Sequence, residues 1–107
     1  MSEEILLFGA LLLGHAIADS LLQPPGMSAG KRSTRASERW LSLGAHGAVH
    51  GFFVGIILSP LLGLAELLAH AAIDRAKGRG MISNEIDQIL HVACKCIWLG
   101  LYLKGLC

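Results

Sequence analysis

The 107 residues suffice for one domain at most, and 53% of them are hydrophobic against 16% charged. That balance excludes an ordinary soluble domain, in which about a quarter of the residues carry charge, and points to lipid. The formal net charge of +1 hides an uneven distribution, and no nucleic acid duplex is expected as a partner.

The apolar residues fall in four blocks, each close to the ~20 residues that cross a hydrocarbon core of about 30 Å. The first, about residues 3–22, follows MSEE. Without a basic leader or a small-residue cleavage site it reads as a retained span. Pro24, Pro25 and Gly26 end it, and Met27 to Glu38 reads as a polar, basic loop. The second block, about 40–58, begins at Trp40, where an interfacial aromatic anchor is expected. Its LGAHGAVHGFF stretch carries small residues that let helices approach closely. The third, about 61–76, follows Pro60, suited to a first turn, and ends before Gly78 and Gly80. The fourth, about 85–103, takes Ser83 or Asn84 as its cap, with Glu85 and Asp87 favourable to its dipole and Trp98 and Tyr102 as anchors toward the far side.

Basic residues cluster between the first two blocks (Lys31, Arg32, Arg35, Arg39) and between the last two (Arg75, Lys77, Arg79). Both loops are therefore expected in the cytoplasm, with both termini outside. The expected fold class is all-α, a transmembrane four-helix bundle forming a single domain over residues 1–107, compatible with a homo-oligomer. Cys94, Cys96 and Cys107 show no metal or redox spacing and read as small apolar fillers.

All five histidines lie in these blocks, each with a polar partner one helical turn away. His15 pairs with Asp19, His46 with His50, His70 with Asp74 and His91 with Asp87, and residues four apart share a helix face. Measured from the basic ends, all eight groups fall in one layer near the cytoplasmic side. Ionisable groups inside a membrane are expensive and usually kept for function. Histidine with carboxylate favours zinc, one ion or two, with Mn2+ or Fe2+ also suited to the donors. Gln23 and Gln88 flank the layer, to orient ligands or to hold substrate. Glu66 and Lys95 lie deeper and are expected to form an intramembrane ion pair, the alternative being a Lys95 that holds a substrate phosphate.

The segments HAIADSLLQPPGMSAGK, HGAVH, HAAIDRAKG and DQILH, in this order, resemble a family of small bacterial and phage membrane proteins, domain-of-unknown-function family 3307. That family looks related to inner-membrane proteins described as metal-dependent hydrolases, and more distantly to the all-α zinc phospholipase C and single-strand nuclease superfamily. The resemblance implies a metal site of His15, Asp19, His46, His50, His70, Asp74, Asp87 and His91 and hydrolysis of a phosphoester, in a bacterial inner membrane with both termini periplasmic. PPGM departs from the polar and aromatic pair expected before the methionine, which bears on the loop's contact with substrate.

Three functions compete. In the first, a membrane-embedded hydrolase cleaves a phosphoester, either a lipid headgroup or a small anion, with Asp87 or Asp19 as base and the basic loop from Lys31 to Arg39 gathering substrate. A Ser-His-Asp mechanism fails because no serine lies in the polar layer except at helix ends. In the second, a metal carrier, polar groups should line the whole path, yet VGIILSPLLGL offers almost none. In the third, the metal only staples a structural or regulatory membrane protein.

Overall fold

Three serines and two prolines set the helix starts. Ser2, Ser59 and Ser83 each accept a hydrogen bond from the backbone N–H three residues on, and Pro25 and Pro60 fill first turns, where no N–H is needed. In the computed structural model, which describes residues 2–106, these starts open α2 and α4 at the prolines and α1 and α5 at the serine caps. The helices are α1 (Glu3–Ser20), α2 (Pro25–Gly30), α3 (Ala36–Ile57), α4 (Pro60–Gly78) and α5 (Asn84–Leu103), with no strand among the described residues.

Two boundaries differ from the sequence expectation. The supposed loop after Pro24 contains α2, whose Gly30 is buried so closely against Ser42 of α3 that a side chain there would collide with the serine hydroxyl. The second long helix starts at Ala36 rather than Trp40, because its polar first turn extends it past the apolar stretch. Trp40 is exposed, with the Arg39 guanidinium 5.8 Å from its ring centre. Trp98 and Tyr102, expected as anchors, instead pack on the interior. Cys94 is half-buried and Cys96 exposed, so Cys96 fills no interior gap; Cys107 lies outside the described residues.

Helices α1, α3, α4 and α5 close a ring, each touching two neighbours and none its diagonal, and α2 lies against α3. The tightest seam joins α3 to α4. A Cβ on Gly63 would sit 2.6 Å from the Gly51 carbonyl oxygen and 2.9 Å from Gly55 Cα, both backbone atoms that cannot give way. Gly44, by contrast, has nothing within 4 Å of its Cβ direction. Gly63→Ala is therefore expected to lower thermal stability in detergent by about 1–3 kcal/mol through overpacking, while Gly44→Ala holds or raises it through helix propensity. Equal effects of the two substitutions would contradict this packing.

The interior is inverted relative to a soluble protein. Beyond Leu11, Ala18, Leu43, Val54, Leu58 and Leu62, its buried side chains are His46, His50, Glu66, His70, Asp87, His91 and Lys95. The histidines and Asp87 lie toward the end of the ring that carries the basic segments, with the Glu66–Lys95 pair beneath them. Leu11, Val54, Leu58 and Leu62, backed by Trp98, Leu99 and Tyr102, fill the other end. Large apolar side chains face outward on every long helix, among them Leu6, Leu13, Phe52, Ile56, Leu64, Leu68, Ile89 and Ile97. Helices α3 and α5 are long and apolar enough to cross a membrane.

Candidate metal centre

Four helices deliver the eight polar groups to one level because each pair is spaced one turn apart and adjacent helices run in opposite directions. His15 and Asp19 lie near the end of α1, His46 and His50 in the first half of α3, His70 and Asp74 near the end of α4, and Asp87 and His91 near the start of α5. The imidazoles pack on one another. His70 stacks between His50 and His91 with ring centres 3.6 and 4.0 Å apart, and His46 and His15 approach the His50 ring to 4.6 and 4.8 Å.

All five rings turn Nε2 toward the carboxylates. Asp19 Oδ1 lies 2.8 Å from His50 Nε2 and 3.1 Å from His46 Nε2, while its Oδ2 lies 3.2 Å from His15 Nε2. Asp74 lies 3.3 Å from His91 Nε2, 3.5 Å from His70 Nε2 and 3.8 Å from His46 Nε2. Asp87 Oδ1 lies 3.3 Å from His91 Nε2. Asp19, His46, His50 and His70 thus offer four ligand atoms within 4.8 Å of one another, as do Asp74, Asp87 and His91 with three.

The donors fit a cation. Tetrahedral zinc with bonds of about 2.0 Å places its ligand atoms about 3.3 Å apart, inside the range found here. His70 supplies the sharpest sign. Its Nδ1–H donates to Glu66 Oε2 at 3.2 Å, so Nε2 carries the lone pair, yet that buried atom has no hydrogen-bond partner. A buried acceptor without a donor is unfavourable unless a cation meets it. The carboxylate–histidine arrangement is the one that fixes tautomer and ring direction in metal sites.

Glu66 is anchored in turn. It is fully buried and accepts from Lys95 Nζ at 2.7 Å and Trp98 Nε1 at 3.1 Å, so the expected ion pair of the two is present. Lys95 accordingly sits beneath the histidines, committed to Glu66. Gln88 donates to Asp87 Oδ2 at 3.0 Å, with its Oε1 3.5 Å from His15 Nε2. Gln23 donates to the Asp19 carbonyl at 3.2 Å.

A cavity of about 180 Å³ opens beside this layer, lined by Gln23, Ser28, Lys31, Arg32, Asp74, Lys77 and Gly78. Asp74 belongs to both: its Oδ1 faces His91 while its Oδ2 accepts from Lys31 Nζ at 3.1 Å. Gln23 and Lys31 were expected near substrate and do line this space, whereas Gln88 and Lys95 do not. Arg32, within the basic loop expected to gather substrate, lines it too, while Ser28 and Lys77 are cavity-lining residues that the sequence reading does not single out. Their places depend on α2 and the following turn lying over the end of α4, which no local spacing reveals. Trp98 was missed as a partner of Glu66 because an aromatic near a helix end reads as an anchor.

The fold and the site together define an all-helical protein with outward apolar faces and a buried imidazole–carboxylate cluster at one end. The chain belongs to the family described as "Protein of unknown function (DUF3307)", which matches residues 7–104. No curated protein and no solved structure matches it.

Proposed function

We propose that the protein is a membrane-embedded, metal-dependent hydrolase of a phosphoester, working at the cytoplasmic face of a bacterial inner membrane. The observation that carries this reading is the sharing of Asp74 between the histidine layer and a cavity bearing three basic side chains. A purely structural metal has closed coordination, whereas a catalytic one needs an approach for substrate.

A transmembrane four-helix bundle with both termini periplasmic accounts for the outward apolar faces. Large exposed apolar surfaces call for lipid or a partner. The 44 Å long dimension suits a bilayer of about 40–45 Å including headgroups. Only α3 and α5 are apolar enough by themselves. α1 and α4 fall short on their own, but their Asp19, Glu66 and Asp74 are directed into the cluster rather than outward. The apolar packing of Leu11, Val54, Leu58 and Leu62 leaves no polar path to the far side, which argues against ion transport.

Asp19, His46, His50 and His70 would hold the principal ion, Zn2+ by the chemistry of these donors, with Mn2+ or Fe2+ as further candidates. Asp74, Asp87 and His91 would hold a second. When bound, the metal would lower the pKa of a water to about 7 and supply charge for phosphoryl oxygens. Asp87 is placed to act as base, since its Oδ1 makes no hydrogen bond while Gln88 steadies Oδ2. Asp19, ringed by three imidazoles, holds them in position. Lys31 and its basic neighbours draw the anion to the mouth of the site.

The 1% exposure of His46, His50, His70 and His91 favours a second reading, a metal that only staples the helices. Activity separates the two. Zinc-loaded protein in lipid nanodiscs is expected to hydrolyse p-nitrophenyl phosphate, its bis-ester or a phospholipid above the buffer rate. Asp87→Asn should lower kcat by about 10²–10⁴-fold while retaining the principal ion, whose ligands do not include Asp87. Metal-replete protein without a rate on any of these would leave the staple.

A further inference from the structure

Three cations and one carboxylate line the cavity above the histidine layer, Lys31, Arg32 and Lys77 against Asp74, with Asp87 next to Lys77 just beyond the lining. The two lysines already have acceptors. Lys31 Nζ donates to Asp74, and Lys77 Nζ donates to Asn84 Oδ1 at 2.9 Å and lies 3.9 Å from Asp87 Oδ2. These contacts hold both ammonium groups at fixed points around the space. The Arg32 guanidinium makes no hydrogen bond or ion pair among the described residues. Its backbone is nevertheless placed, because the 31–32 turn lies against Gly78 at the end of α4.

We infer that this cavity is a phosphate subsite selective for a phosphomonoester, with Arg32 and Lys77 as its specificity-determining residues. A monoester carries about −1.5 to −2 charges near neutral pH, a diester only one, so three cationic side chains converging on one small space favour the monoester. A guanidinium presents paired N–H groups suited to two phosphate oxygens, while a lysine acts as a point charge. Size narrows the ligand further. About 180 Å³ is well under the roughly 300–1,000 Å³ that encloses a drug-sized molecule, so the phosphate enters and the rest of the substrate stays outside. A lipid headgroup and a soluble phosphate ester both meet that description. The inference rests on the hydrolase reading only for its label as a substrate site; the binding itself needs no turnover.

The test is calorimetric binding to the full chain, as purified, in phosphatidylcholine nanodiscs. Inorganic phosphate is expected to bind at least about tenfold more tightly than dimethyl phosphate. Arg32→Gln and Lys77→Gln should each weaken phosphate about tenfold, the worth of one charge-assisted hydrogen bond, with metal content and helical circular dichroism unchanged. Arg35→Gln, outside the cavity lining, serves as the control for loss of general basic charge. Equal affinity for the two probes, or an Arg32→Gln loss no greater than that of Arg35→Gln, overturns the assignment. Nanodiscs containing a tenth phosphatidic acid identify the source. Competition with phosphate supports a lipid headgroup, and unchanged phosphate binding supports a soluble ester. Phosphate selectivity without hydrolysis of any ester leaves the subsite standing and ends the hydrolase reading; diester hydrolysis without phosphate selectivity does the reverse.

Discussion

Replacing His46 and His50 together by alanine is expected to abolish binding of the principal ion and to lower the thermal midpoint markedly in detergent. Two of the four ligand atoms around Asp19 disappear, and Asp19 loses the neighbours 2.8 and 3.1 Å from its Oδ1. A zinc site with four protein ligands contributes on the order of 10 kcal/mol or more to the folded state, so the loss should exceed that of any surface change. Elemental analysis and differential scanning fluorimetry, with and without added chelator, measure both effects. Chelation should shift the wild-type midpoint downward and leave the double variant unmoved. A variant that keeps the principal ion would show that these rings are interhelical struts.

Lys95→Met is expected to cost about 3–5 kcal/mol of stability, because it strands the fully buried Glu66 carboxylate without its counter-ion. Trp98 and His70 still donate to that carboxylate, so the loss is of charge compensation rather than of every bond. Adding Glu66→Gln to Lys95→Met removes the stranded charge, and the double variant should recover part of the stability. A double-mutant cycle in thermal or chemical unfolding reads the coupling directly. Strictly additive losses would mean that the pair contributes nothing as a pair. Glu66→Gln alone carries a separate consequence: with His70 less firmly oriented, metal affinity should fall about 10–100-fold.

The cluster was legible in the sequence because helix geometry converts a four-residue spacing into a shared face, and the basic segments mark which helix ends lie together. His15 with Asp19 and His70 with Asp74 could be placed at one level from those two facts. The ion pair of Glu66 with Lys95 followed from the same count, since either charge alone in an apolar interior is costly. What escaped depended on contacts between segments distant in the chain. α2 forms from PGMSAG, a poor helical sequence, and is settled by the fit of Gly30 against Ser42 on α3. Arg32 and Lys77 meet only because that fit lays the following turn over the end of α4. Trp98 turns inward because Glu66 offers its indole N–H an acceptor, a preference invisible in local hydropathy.

X-ray absorption on the purified wild-type protein tests the shared cation most directly. One or two zinc equivalents, with nitrogen and oxygen scatterers at about 2.0–2.1 Å, an imidazole signature and no sulfur, are the expected result. Metal-free protein, or a zinc shell containing Cys94 or Cys96 sulfur, would contradict a centre built from the imidazoles and carboxylates of four helices.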